Sequence, residues 1–280
     1  MSVTDATRAW TGEFRKPRNS ASQAKGSIHD DATASQLGFK GGTVAGSIHM
    51  DQFVPGLLEI YGQDWFETGT MSLYFTQATV DAEPVCAAIS PGQDHAVLTM
   101  HNEAGVQICQ GTASLGHDAC SELSKRLEAQ VPTEPGALRI LKAMALGEEH
   151  HDIAVRIEPE HLAQYLGAIT ENLAPYREAK VLPPAQIVHM AHLSRKQVLA
   201  KAAQPAVGLF GALEIEQFSG PLHAGVDYLA RTRTLKFSES PRTENVWYEV
   251  IFTAKDGGPD LGRVLYLLRF MKGSSPLWLQ

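Results

Sequence analysis

What the chain has little of narrows the field first. Its three cysteines, Cys86, Cys109 and Cys120, are odd in number and form no Cys-x-x-Cys pair, a pattern that fits reduced thiols better than a disulfide framework or a zinc site. Cys86 and Cys109 sit in apolar, strand-like runs and read as small core residues. Cys120 lies between Asp118 and Glu122, whose charges would raise a thiol's pKa and work against a nucleophile. No run approaches the roughly 20 apolar residues of a membrane span, and Met1 to Ser22 lacks the apolar stretch of a secretory signal. A cytoplasmic protein without membrane attachment is expected. Positive charge is not in excess either: the formal net charge is -7, with both signs interspersed, so neither nucleic acid nor an anionic lipid surface is an expected partner. Two or three local basic residues would still suffice to hold one phosphorylated ligand.

What is present is an ordinary globular composition, 44% hydrophobic over 280 residues, enough for one large domain or two of about 140 residues. Val44 to Tyr61 has helical spacing, with Ile48, Phe53, Leu57, Leu58 and Tyr61 apolar and Pro55-Gly56 placed to kink it. Strand-like runs follow at Thr70 to Val80, Pro84 to Ser90, His95 to Asn102 and Val106 to Leu115, separated by turn signals such as Pro91-Gly92. Composition then shifts to charged and small residues with Pro132 and Pro135, which reads as a linker holding at most short helices. After it the order repeats. Glu160 to Ala174 and Ala185 to Ala202 are helical in pattern, and Gly211 to Phe218, Asp227 to Phe237, Asn245 to Ala254 and Gly262 to Met271 read as strands. The fold class is therefore α+β, with a first half over 1–120, a linker over 121–152 and a second half over 153–280, related by duplication. One sheet cannot cover both ends of its helix, so the halves should pair and form a ligand cleft at their seam.

The segment from Ser27 to Gly46 resembles the entrance segment of MaoC-like dehydratases and (R)-specific enoyl-CoA hydratases. His29-x-Asp31, Leu37-Gly38-Phe39 and Gly46 match that family's His-x-Asp, Gly-Phe and helix start in order. The resemblance implies a double hotdog fold, each half a central helix wrapped by an antiparallel β-sheet. The family's Asp and Asn, five and three positions before the His, are replaced by Ala24 and Gly26. A weaker counterpart runs from Tyr165 to Glu178, where Glu171 stands at the acidic position, Pro175 at the proline and Tyr176 where a His is expected.

By resemblance, the substrate is an acyl-CoA or acyl-carrier thioester, no cofactor is required, and a homodimer is compatible with the plan. Hydrating an enoyl thioester, or dehydrating a 3-hydroxyacyl one, needs a base, an acid and a donor to the thioester oxygen. His29 is the expected acid or base, oriented by Asp30 or Asp31, or else a bystander to a short helix that one of these aspartates caps. Glu171 is the expected second carboxylate, or a solvated partner of Arg177. Tyr176 would donate to the thioester oxygen, or pack structurally. Gly46, with Val44 and Ala45, would offer backbone N–H groups, or merely allow a tight turn. Arg231 and Arg233, with Lys236 and Arg242, would meet the phosphates of the carrier arm, or are exposed strand charges. His189 and His192 read as helix-face residues beside the cleft, and Glu148 to His151 as a solvated run. Besides hydro-lyase chemistry, two other activities fit this pattern: a non-catalytic thioester-binding module, favoured by Ala24, and a thioesterase using Glu171 or Asp31 to activate water.

Overall fold

The computed structural model describes residues 9–278, so the first eight residues of the expected first half and the last two of the second lie outside the described residues. The first half runs β1 (Trp10–Thr11), α1 (Asp31–Gln36), α2 (Gly46–Asp51), α3 (Val54–Tyr61), α4 (Asp64–Thr68), β2 (Gly69–Phe75), β3 (Val85–Ser90), β4 (Ala96–Asn102) and β5 (Gln107–Leu115). A connecting helix, α5 (Glu122–Ala129), leads to the second half: β6 (Glu149–Val155), α6 (Pro159–Leu166), α7 (Ala174–Glu178), α8 (Pro184–His192), α9 (Arg195–Val198), β7 (Gly208–Gln217), β8 (Tyr228–Glu239), β9 (Thr243–Ala254) and β10 (Asp260–Met271). Each of the eight expected strands is present. The expected helix over Val44 to Tyr61 splits into α2 and α3, with Pro55 in the first turn of α3, where its missing N–H costs nothing. The helix expected over Ala185 to Ala202 likewise breaks into α8 and α9, and that over Glu160 to Ala174 shortens to α6.

Among the described residues, ten strands form a single sheet in the order β1-β3-β4-β5-β2-β7-β10-β9-β8-β6, every described pairing antiparallel. The seam between the halves is the β2–β7 pair, with Ser72 opposite Glu214 and Leu73 opposite Leu213. Thr70 to Leu73 and Gly211 to Gln217 are buried without alternation, because helices cover one face and α5 the other. The central helices bury Met50, Phe53 and Leu57 on one side of the seam and Ile187, Val188 and Ala191 on the other. Burial of side chains this size contributes about 1.5–3 kcal/mol each.

The connecting segment is more than a tether. Ser121 caps α5 by accepting the Ser124 N–H at 3.0 Å and donates to Glu214 at 2.6 Å, while the Leu123 N–H donates to Ser72 Oγ at 2.9 Å. Arg263 binds Glu214 at 2.7 Å and Glu216 at 3.2 Å, so the carboxylates at the seam are paired. The linker ends earlier than its composition suggests: Glu149 to His151 belong to β6, the edge strand beside β8, where Glu149 and His151 stay exposed as a solvated run. Among the described residues no helix is long and apolar enough to cross a membrane.

The duplication is written in matching hydrogen bonds. Val44 N–H donates to the Thr79 carbonyl at 2.9 Å, and Leu182 N–H to that of Leu222 at 2.8 Å; Thr43 bridges to Val80 as Val181 does to His223. Thr76 and Gln77 share the carbonyl of Ile108 just as Phe218 and Ser219 share that of Leu261. Counting along the helices from Val44 and Leu182, Ser47 corresponds to Ala185 and Asp51 to His189.

Candidate active site

A cavity of about 1550 Å³ opens where β2 ends and β7 begins, between the loop carrying His29, the first turn of α2 and the exposed side of α8. The loop is held by its glycines and Asp31. Gly42 packs so closely that a Cβ there would lie 2.2 Å from the His29 carbonyl oxygen, and its N–H donates to Asp31 Oδ1 at 2.7 Å. Asn19 donates to the His29 carbonyl at 2.8 Å. Asp30 caps α1, accepting the Thr33 hydroxyl at 2.8 Å, and that bond with Thr33 holds its carboxyl below the usual range.

His29 lines the cavity, and its Nδ1 lies 2.7 Å from the Thr43 carbonyl. A carbonyl only accepts, so Nδ1 carries the proton and Nε2 keeps its lone pair. Nε2 makes no hydrogen bond among the described residues. The group that orients His29 is thus a backbone carbonyl; Asp31, expected in that role, is bonded to Gly42 and does not line the cavity.

Across the cavity stand the first turn of α2 and the imidazoles of α8. Gly46 allows the Phe75 ring to approach, since a Cβ would meet it at 2.7 Å. Neither the Gly46 nor the Ser47 N–H donates a hydrogen bond among the described residues, as the start of a helix requires unless something outside it accepts. His189 stacks on His161 at 4.9 Å between ring centroids, and burial followed by the charge of His161 lowers its pKa. His192 is pushed down to about 4, chiefly by burial and then by Arg195, His189 and His29, so it lies within electrostatic reach of both neighbours. Among the described residues, the carboxylates on the cavity wall are Glu83 and Glu239. Arg195, Arg242 and Arg269 line it too, and none has a carboxylate partner among the described residues.

Several sequence expectations are corrected here. Glu171 does not reach His29. It lies beneath the seam beside Arg15, 3.6 Å away, accepts from Thr170, and borders a separate small cavity with Gln52 and Trp10; burial raises its pKa. Tyr176 is fully buried, edge-on to Phe66, and its hydroxyl has no partner and no access to a ligand. Arg231 is clamped by both oxygens of Asp260 at 2.6 Å, and Arg233 stands 3.8 Å from Glu149; both project from β8 away from the cavity. Arg242 alone of the four expected basic residues is on the wall, while Lys236 donates to the carbonyls of Leu127 and Gln130.

Sequence reading missed His161, Arg195, Arg269 and, most notably, Asp51. Asp51 is completely buried at the end of α2, accepts the Ala185 N–H at 2.9 Å and is bonded by the Tyr165 hydroxyl at 2.5 Å. Burial pushes its pKa up to about 7, against the lowering effect of those two bonds, and the nearby Glu171 adds to the rise. The signal available was an acid on the apolar face that includes Met50 and Phe53.

No sequence-family model matches this chain, and no curated protein matches it in sequence. Solved structures do. A Chloroflexus aurantiacus protein assigned to the MaoC domain dehydratases superimposes with a TM-score of 0.63 at 11% identity, over 95% of this chain and 95% of its own. A conserved Mycobacterium tuberculosis protein with a double hotdog fold gives 0.58 at 10% identity, over 94% and 96%. A MaoC-like dehydratase gives 0.57 at 11% identity, over 94% and 97%. The chain therefore has the double hotdog fold, each half a helix wrapped by antiparallel strands.

Proposed function

We propose that the chain is a hydro-lyase of the MaoC-like type acting on an acyl thioester, adding water to a trans-2-enoyl group or removing it from a 3-hydroxyacyl group. The observation that carries this reading is the free Nε2 of His29 in a cavity that also holds unbonded backbone N–H groups at Gly46 and Ser47. With the thioester oxygen on those N–H groups, His29 Nε2 takes a proton from water as the water oxygen bonds to the β-carbon. The π electrons move toward the α-carbon and the carbonyl, and the negative charge on oxygen is met by the N–H donors. His29 then gives the same proton to the α-carbon, so one imidazole serves as base and acid. The unpaired Arg195, Arg242 and Arg269 suit the phosphate of a coenzyme A or carrier-protein arm.

The test is turnover of a trans-2-enoyl-CoA series by the wild type and by His29→Ala. Water addition that collapses in the variant is expected; equal rates in both would remove His29 from the reaction. Release of free thiol instead would identify a thioesterase, a reading weakened because Asp31 and Glu171 are engaged elsewhere. A second reading, a thioester-binding module without turnover, is favoured by Ala24, which lines the cavity where the family has its Asp. Saturable acyl-CoA binding with no product from any chain length would establish it.

A further inference from the structure

The two central helices, α2 and α8, pack against each other across the seam. In one direction the contact is explicit: Asp51, on the last turn of α2, places its carboxylate on the Ala185 N–H in the first turn of α8. The matched hydrogen bonds of the two halves make His189 the counterpart of Asp51 and Ser47 the counterpart of Ala185. In the other direction, then, His189 holds on α8 the place that Asp51 holds on α2, the position that faces the first turn of the opposite helix. His189, Gly46 and Ser47 all line the one cavity, whereas Asp51 does not. Stacking on His161 fixes the plane of the His189 ring at the cavity wall.

We propose that His189 is a catalytic residue that donates a ring N–H hydrogen bond to the thioester oxygen, beside the backbone N–H groups of Gly46 and Ser47. This inference rests on the hydro-lyase reading and adds a side-chain donor from the second half to a site otherwise built by the first. A neutral imidazole suits the task, because it offers one N–H to the growing charge on oxygen without giving up a proton. Burial and His161 keep His189 neutral. No atom is transferred: the proton cycle remains that of His29, and His189 acts only while the oxygen carries charge. A carboxylate in this place would repel that charge, and the wall's Glu83 and Glu239 are engaged with the Val80 N–H and Asn102 and with Lys272.

The experiment compares wild type, His189→Phe, His189→Asn and His29→Ala in hydration of a trans-2-enoyl-CoA, together with binding of the saturated acyl-CoA of equal length. Phenylalanine keeps the stack on His161 without an N–H, and asparagine restores an N–H on a shorter arm. His189→Phe should lower kcat on the order of 100-fold while KM and saturated-thioester binding stay within about threefold, and His189→Asn should recover part of the loss. Unchanged kcat in His189→Phe, a loss matched by equal loss of binding, or no recovery with asparagine would each overturn the assignment. In those outcomes an inactive His29→Ala would leave the hydro-lyase reading standing. Absence of turnover in the wild type across the enoyl series would instead remove that reading, and this inference with it.

Discussion

At the start of α8 a carboxylate from the opposite helix holds the Ala185 N–H; at the start of α2 the matching Ser47 N–H has no partner among the described residues, and a cavity opens in front of it. The two places share a backbone plan and differ in what stands across from it. Asp51 fills the second-half position, its carboxyl taken up by the Ala185 N–H and the Tyr165 hydroxyl, while Glu171 nearby is paired with Thr170 and Arg15. Five histidines, His29, His49, His161, His189 and His192, line the cavity at the first-half position without closing it. The fold presents two matching positions, and here one is part of the core while the other is accessible. On the proposed function, polar atoms at the closed position act on stability and those at the open one on the thioester.

That contrast can be broken at its open end first. His29→Ala should lower turnover by about 10²- to 10⁴-fold in an enoyl-thioester assay while leaving the denaturation midpoint close to wild type. At the closed end the pattern should invert. Asp51→Ala strands the Ala185 N–H and the Tyr165 hydroxyl in the core and should cost about 3 kcal/mol in urea unfolding, with turnover per folded molecule preserved. If Asp51→Ala abolished turnover in a folded protein, the closed position would have to be counted as part of the site.

Acidity sharpens the comparison further. The Asp51 pKa is raised from 3.8 to about 7 by burial, so the folded chain holds this proton more tightly than the unfolded one. Its ionisation therefore destabilises the fold: the contribution is most favourable below about pH 4 and is lost as pH rises toward and past 7. Asp51→Asn keeps an acceptor for Ala185 and removes the charge. Its stability relative to wild type should climb between pH 4 and pH 8, by on the order of 4 kcal/mol, in equilibrium unfolding at a series of pH values. A pH-independent difference would mean that Asp51 is not buried as an acid.

Smaller effects separate the wall from its surroundings. Gly46→Ala would push a methyl into the Phe75 ring and should reduce kcat/KM about tenfold by shifting the first turn of α2. Arg242→Ala should raise KM for an acyl-CoA about threefold at low salt and less at high salt. Arg231→Ala, which removes a clamp on Asp260 rather than a ligand contact, should leave KM unchanged in the same assay.

The strands were legible because alternation and turn residues are local signals: Pro91-Gly92 falls in the turn between β3 and β4. His29 and Gly46 were legible because their neighbours in sequence are their neighbours in space. Glu171 and Tyr176 were misplaced because a motif position says which loop a residue occupies, not whether that loop is open; here Arg15, from far up the chain, closes over Glu171. Asp51 and His189 could not be paired from sequence at all. Their relation exists only through the packing of two helices more than a hundred residues apart, and neither lies in a recognisable motif.

The seam itself has a consequence for how this chain can be taken apart. β2 and β7 are mid-sheet strands bonded to each other, and the backbone crosses between the halves only through the segment that carries α5. A nick in the exposed stretch around Val131 would yield two fragments, each ending in a bare strand edge whose natural partner is the other. Such fragments should reassemble by complementation into a heterodimer, re-creating in two chains the pairing from which a duplicated gene would have begun. Because this pairing joins such distant segments, the seam should also form late in folding, after each half has nucleated around its own helix.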